Sequence, residues 1–558
     1  MRFKIILTWF KRLRLRERVT LFYSKTVIRY LDTSLLFLIA IIVIGAILRL
    51  INIGNEPFWG DEALSTDIVT YFPNVKQLII YLRLVEVHPP LYYIMLHYWI
   101  NLFGSSEFST RIPSYVAGLI VILFTYRLGI ILFSKKRVAL LATLIVAVLP
   151  IQIEFSHVAR PYIFVALSGV VASYALWRYL ESSKLKYALS YIVALAVGLY
   201  FHYSALFVAI ALASYWFIIV FSTHRRDNTS VGRQIFNWFI IHAAIFVAFY
   251  PWLDTVLYKL FLGQYQIFEI VRTSGNTFRE LGLVSIDRLL WMDKDYLVSS
   301  FVIFAIGIAK ISMIGFFIYF FLSKREQAIV LIRTDGRALF FVSWIVFVPF
   351  VPFMLTPLSL SYTPVNQQHI LTSSVFLALL IGYLFDVTPK SSKQRAVLTI
   401  LFLASLMNFS IEVMADDSQG NRQYRLRETA RFVSANYRTG DLVMVDAAYL
   451  RSDFNHYLRS DVDTVSFYPP NFYGNDFLSS RQTLGLVENE MQMRLIMPNR
   501  PLSFMKMQYL IKLYKPQRVW LAYFPTRNYA EQWLFENGWQ LRFPAQEPLL
   551  PVSLYEKP

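Results

Sequence analysis

The sequence predicts an α-helical polytopic membrane protein with a smaller α/β domain towards its C-terminal end. Three observations carry this prediction. Charged residues make up 16% of the 558 against 56% hydrophobic ones, the apolar residues fall in long blocks, and the last part of the chain changes character. Soluble domains carry about a quarter charged residues, so the deficit is a membrane signal. The blocks 35–50, 138–149, 192–199, 239–249, 301–321, 339–353 and 375–384 are nearly free of charge. Extended through polar and aromatic flanks, most reach the roughly 20 helical residues that cross a hydrocarbon core about 30 Å thick, which gives about eleven to thirteen spans.

The charge of +18 sits between these blocks, in Arg12 to Arg18, Lys135-Lys136-Arg137, Lys184 with Lys186, His224-Arg225-Arg226, Lys324-Arg325 and Lys390 with Lys393. That is the positive-inside pattern, and it points away from nucleic acid as a partner. With a basic cytoplasmic segment over 1–33 and a retained first span from 34 to 52, the chain alternates well from Lys135 onward. It runs outward over 138–155, 187–203, 236–252, 338–355 and 396–414, and inward over 162–180, 204–221, 301–322 and 368–385. One stretch conflicts. If 91–103 and 112–133 both crossed, Lys135-Lys136-Arg137 would lie outside; 91–103 is short and contains His97 and Asn101, which suits a partial or interfacial helix.

The membrane domain is expected over 34–414 with a first outer loop at about 53–90, and a soluble outer domain over 415–558. There, 422–437 has helical spacing, 441–446 and 518–523 read as strands, and 528–537 reads as a helix ended by Gly538. The absence of cysteine excludes disulfides and thiolate chemistry.

Four polar clusters gather at the outer ends of spans. In Asn55-Glu56-Pro57-Phe58-Trp59-Gly60-Asp61-Glu62, Gly60 permits a tight turn and the two acids open a helix, where the dipole favours negative charge. Asp61 and Glu62 are the candidate catalytic centre; acids in a first turn equally suit a plain cap. In Glu86-Val87-His88-Pro89-Pro90-Leu91-Tyr92-Tyr93, the prolines fix the direction of His88, or simply start a helix. The third cluster, 152–162, carries Glu154, His157, Arg160 and Tyr162; Arg160 also suits snorkelling to headgroups. The fourth, Tyr200-Phe201-His202-Tyr203, reads as an aromatic belt with His202 its distinctive member. Carboxylates with histidines leave a divalent metal open, although no tight pair such as His-x-x-x-His occurs.

In order, Phe58-Trp59-Gly60-Asp61-Glu62-Ala63, His88-Pro89-Pro90-Leu91-Tyr92-Tyr93, Leu102-Phe103-Gly104, Ser106-Glu107-Phe108, Arg111-Ile112-Pro113-Ser114, Ser156-His157-Val158-Ala159-Arg160-Pro161-Tyr162 and His202-Tyr203 resemble family 39 glycosyltransferases. These are GT-C fold enzymes related to protein O-mannosyltransferases and to the aminoarabinose transferase that modifies lipid A. The resemblance is dense over about 50–205 and implies inverting transfer of a sugar from a polyprenyl-phosphate donor to a lipid, protein or polysaccharide acceptor, outside a bacterial cytoplasmic membrane. It maps the catalytic base to Asp61, with Glu62 orienting a hydroxyl, and the donor phosphate to His88, Arg160 and His369. Two departures stand out. Relatives often have an acid where this chain has Val158, with Glu154 one turn earlier, and tend to have Arg-Tyr-Leu where it has His369-Ile370-Leu371. A transporter of lipid-linked sugars is the alternative, but it would favour polar residues at the bilayer midplane and an internal repeat. A second alternative is an inactive scaffold on the same fold.

Overall fold

The computed structural model describes residues 33–58, 60–84, 86, 88–223, 228–261, 367–387 and 426–445, and, beyond these, parts of 454–466 and of 511–558. The expected spans at 301–322, 338–355 and 396–414 lie outside the described residues.

The described residues of the membrane part form the helices α1 (Thr33–Leu50), α2 (Gly60–Tyr71), α3 (Val75–Leu84), α4 (Leu91–Phe103), α5 (Glu107–Phe133), α6 (Lys136–Val148), α7 (Pro150–His157), α8 (Tyr162–Ser182), α9 (Leu185–Phe201), α10 (Ala205–Thr223), α11 (Asn228–Phe261) and α12 (Gln367–Val387). Among the described residues, four helices are long and apolar enough to cross a membrane, or five if the bent pair α6–α7 is one span; α9, α10 and α12 contain shorter apolar stretches. One core, including Val121, Ile145, Leu176, Leu195 and Phe376, joins α1 and α5 to α12.

The conflict at 91–103 is settled by α4. Thirteen residues make a helix of about 20 Å, short of a bilayer core. The residues that open α5, Glu107 and Arg111, touch the loop after α1: Arg111 donates to the carbonyls of Ile53 and Glu56. So α4 starts and finishes at one end of the bundle and α5 alone crosses. Lys135 then reaches the other end, where it pairs with Asp386 of α12 at 2.7 Å.

Two prolines break helical ladders, and each break is filled by a side chain. Pro113 lies inside α5 and has no N–H for the carbonyl of Ser109, four residues back. The indole of Trp99 on α4 donates to that oxygen at 2.8 Å. Pro150 likewise has no N–H for the carbonyl of Val146, and the chain bends by 53° between α6 and α7. Here Arg49, fully buried on α1, donates to Val146 O at 3.1 Å, Ala147 O at 2.7 Å and Gly45 O at 3.1 Å, and its Nε donates to Ser156 Oγ at 3.1 Å. A cation at a helix C-terminus is also favoured by the helix dipole. Gly118 lets α5 approach this point, because a Cβ there would run into the Ser156 hydroxyl.

The C-terminal part is a mixed sheet of five strands, β1 (Leu442–Val445), β2 (Thr464–Ser466), β3 (Arg518–Ala522), β4 (Gln540–Phe543) and β5 (Val552–Glu556), in the order β2-β1-β3-β5-β4. β1 pairs parallel with β2 and β3, while β5 pairs antiparallel with β3 and β4. The helices α13 (Leu426–Asn436) and α14 (Arg527–Glu536) accompany it. Ala430 and Val433 of α13 pack with Trp520 on one side of the sheet, and Leu534 of α14 packs with Leu521 on the other.

Candidate active site

Asp61 and Glu62 are sequence neighbours with opposite environments. Both stand in the first turn of α2, but the Glu62 side chain is 0% exposed and that of Asp61 is 36% exposed. Glu62 is held by Arg111 through two bonds, Nε to Oε1 at 2.9 Å and Nη2 to Oε2 at 2.7 Å, and Ala159 N–H donates to Oε1 at 2.7 Å. The remaining Arg111 protons reach Ile53 O, Glu56 O and Pro57 O. All five guanidinium donors are therefore used. This cluster ties the loop after α1 to α2, to α5 and to the turn before α8.

Asp61 faces Arg160, whose Nη2 lies 3.5 Å from Asp61 Oδ2. Arg160 is 2% exposed and sits in the turn between α7 and α8. Its Nη1 donates to Ser65 Oγ at 2.8 Å, and Ser65 in turn donates to the carbonyl of Asp61 at 2.7 Å. Longer bonds of 3.5 Å reach Tyr93 OH and Asp61 O. The Tyr162 ring lies under the guanidinium at 5.8 Å. Arg160 Nε is a buried donor with no partner among the described residues, as Trp216 Nε1 and Arg518 Nη1 are elsewhere. Surrounding hydroxyls and carboxylates, namely Tyr162, Tyr93, Asp61 and Glu86, raise the Arg160 pKa against a burial that would lower it. The group stays cationic.

In this arrangement the His88 ring is engaged at both nitrogens and has no free N–H to turn to a donor phosphate. Its Nδ1 is 2.6 Å from Glu86 Oε1 and its Nε2 is 3.1 Å from Arg160 Nη2. Guanidinium can only donate, so Nε2 accepts and the proton resides on Nδ1, facing Glu86. The imidazole links a carboxylate to a guanidinium. Burial alone would raise Glu86, but the hydrogen bond from His88 and the charges around it prevail and hold its pKa at about 2. Glu86 is the site residue that the sequence reading named only as a neighbour of His88.

The other candidates lie at the same end of the bundle. The His202 ring is 5.3 Å from both His88 and Tyr162, and its Nδ1 accepts from Ser204 N–H at 3.1 Å. Glu154 and His157 lie on α7, both half-buried. The backbone of His369 lies in the first turn of α12, at the end remote from Asp386; its side chain is outside the described residues, as is Trp59. Among the described residues, no group of three or more His, Asp or Glu side chains is placed to hold a metal ion.

Residues 87–253 match the family model described as dolichyl-phosphate-mannose-protein mannosyltransferase. The structure superimposes on that of ArnT from Cupriavidus metallidurans in the apo state with a TM-score of 0.59, at 12% identity, covering 94% of this chain and 98% of that one. This is the GT-C fold. ArnT bound to undecaprenyl phosphate gives 0.58 at 11% identity, over 93% and 97% of the two chains. No curated protein matches by sequence. The resemblance to GT-C membrane glycosyltransferases read from the motifs is borne out, and the matched segment of this GT-C chain extends beyond the dense motifs to the region of Trp252. The acidic pair precedes that segment.

Proposed function

We propose that this chain is an inverting glycosyltransferase that moves a sugar from a polyprenyl-phosphate donor to an acceptor at the outer face of a cytoplasmic membrane, with Asp61 as general base. The observation that carries this reading is the split between the two acids. Asp61 is the half-exposed carboxylate at the head of α2, and Glu62 is committed to Arg111.

The acceptor oxygen attacks the anomeric carbon, and its proton passes to the Asp61 carboxylate. The bond from the anomeric carbon to the phosphate oxygen breaks, and the lipid phosphate leaves with that electron pair. Being already a good leaving group, it needs charge stabilisation more than a strong acid. Arg160 supplies that charge in our reading, through the Nε–H that has no partner among the described residues. His88 acts one step back, since Glu86 and Arg160 engage both ring nitrogens. Glu62 holds the start of α2, and the roles of Glu154, His157, Tyr162, His202 and His369 are those of flanking groups. ArnT bound to undecaprenyl phosphate is the structural likeness that favours a lipid-phosphate carrier.

The test is Asp61→Asn in reconstituted vesicles supplied with a radiolabelled undecaprenyl-phosphate hexose and outer-envelope extract as acceptor. Transfer is expected to fall by about 10²–10⁴-fold. Transfer at the wild-type rate removes Asp61 from the role of base. Wild-type vesicles that translocate the labelled lipid without transferring sugar favour a transporter instead.

A further inference from the structure

The C-terminal module grips the loop that launches Asp61, and Tyr457 is the centre of the grip. Its hydroxyl accepts the Phe58 backbone N–H at 2.6 Å and donates to Glu107 Oε1 at 3.1 Å. One hydroxyl thereby joins the module to the loop and to the head of α5. Arg427 donates to the same Glu107 oxygen at 3.2 Å and to Asn55 O at 3.2 Å. His456 Nδ1 is 2.7 Å from Asp67 Oδ1 on α2, and its ring meets Phe58 edge-on at 5.1 Å. Phe58 is 1% exposed and lies between that ring and the Arg111 guanidinium, 5.6 Å away.

From the membrane side, Arg111 holds the carbonyls of Ile53, Glu56 and Pro57. From the module side, Arg427 holds Asn55 O and Tyr457 holds Phe58 N. The loop is thus pinned on two faces. Phe58 is three residues before Asp61, whose contact with Arg160 is already 3.5 Å long. A carboxylate that must take a proton in flight tolerates little displacement; about 1 Å can cost on the order of 10²-fold.

We infer that Tyr457 is a positioning residue for Asp61, so that docking of the C-terminal module is a condition of turnover and not only an anchor for the module. This rests on the assignment of Asp61 as base. A purely structural tyrosine would lower stability and donor use together. A positioning one lowers turnover while leaving the donor site and the fold in place.

The experiment uses the full chain in vesicles with Tyr457→Phe, which deletes one oxygen and keeps the ring. Amide hydrogen exchange over 51–66 is expected to quicken by about tenfold. Peptides from α5 and α8, and the thermal midpoint, are expected to stay at wild-type values. With the undecaprenyl-phosphate hexose donor, kcat is expected to fall by about tenfold or more with KM unchanged within about twofold. Unchanged exchange over 51–66, or quickened exchange with full kcat, overturns the inference. If wild-type protein transfers no sugar, the proposed function fails by itself, and the exchange measurement still decides whether Tyr457 fixes the loop.

Discussion

Replacing Glu62 by alanine should unfold the outer end of the bundle more readily than any change at Asp61. The Glu62 carboxylate and the Arg111 guanidinium are 0% and 4% exposed, 2.7 Å apart at their closest. Removing one partner of such a pair leaves the other charge buried and uncompensated, which costs about 3–5 kcal/mol. Ala159 N–H also loses its acceptor, adding about 1–3 kcal/mol if nothing replaces it. Asp61→Asn, by contrast, changes a half-exposed group whose nearest cation is 3.5 Å away, and should stay within about 0.5 kcal/mol of wild type. A chain with many helices and a separate sheet need not unfold in two states, so ranked midpoints are compared, not extrapolated free energies. The assay is thermal inactivation in matched lipid, read by loss of monodisperse protein. Glu62→Ala should fall well below wild type and Asp61→Asn should match it while losing transfer. Equal midpoints for Glu62→Ala and wild type would refute the reasoning, as would Asp61→Asn falling as far as Glu62→Ala.

Two further outcomes are expected. Arg49→Leu removes the donors that fill the break at Pro150, leaving the carbonyls of Val146 and Ala147 buried and poorly paired; the same thermal assay should show a loss of about 2–4 kcal/mol, and a wild-type midpoint would show that the bend is stable without Arg49. The second concerns pH. Glu86 is held at about 2 against its ordinary 4.5, so its contribution is fully present above pH 4.5 and is lost as pH falls from there through 2. The size is on the order of 3 kcal/mol. The groups facing it include His88, Arg160, Tyr93, Tyr81 and Tyr162. Glu86→Gln should therefore lose less stability than wild type between pH 5 and pH 3, and equal losses in the two proteins would place the acid sensitivity elsewhere.

Much of this was legible in the sequence because membrane helices and interfacial charge are local signals. The helices expected over 162–180, 187–203 and 204–221, the helix near 528–537 and the strand that starts at Arg518 follow from composition and turn residues alone. The acidic pair was legible as a pair, but not as a division of labour. Nothing in Asp61-Glu62 says which carboxylate meets Arg111, because that partner is 49 residues away from Glu62 in sequence. Glu86 was hidden in the same way, since a carboxylate two residues before a histidine reads as a loop charge until Arg160 arrives from the turn before α8 and fixes the tautomer. Arg49 was hidden for the opposite reason. It sits in a block read as nearly free of charge, and its partners are mainly backbone carbonyls at the Pro150 break, which no side-chain pattern records.

Two of the three arginines that the fold buries near this end have one feature in common. Arg49 and Arg111 each complete backbone that a proline or an irregular loop leaves without donors, and Arg111 adds a carboxylate. Arg160 differs: it pairs mainly with side chains, and it retains a buried Nε without a partner among the described residues. An unsatisfied donor in a cationic group of this burial is costly unless something else completes it. Contacts within the fold engage every guanidinium nitrogen of Arg49 and Arg111 and, among the described residues, leave one of Arg160 without a partner. That asymmetry is the physical reason for assigning Arg160, and not the other two, to the anionic part of a donor beside Asp61.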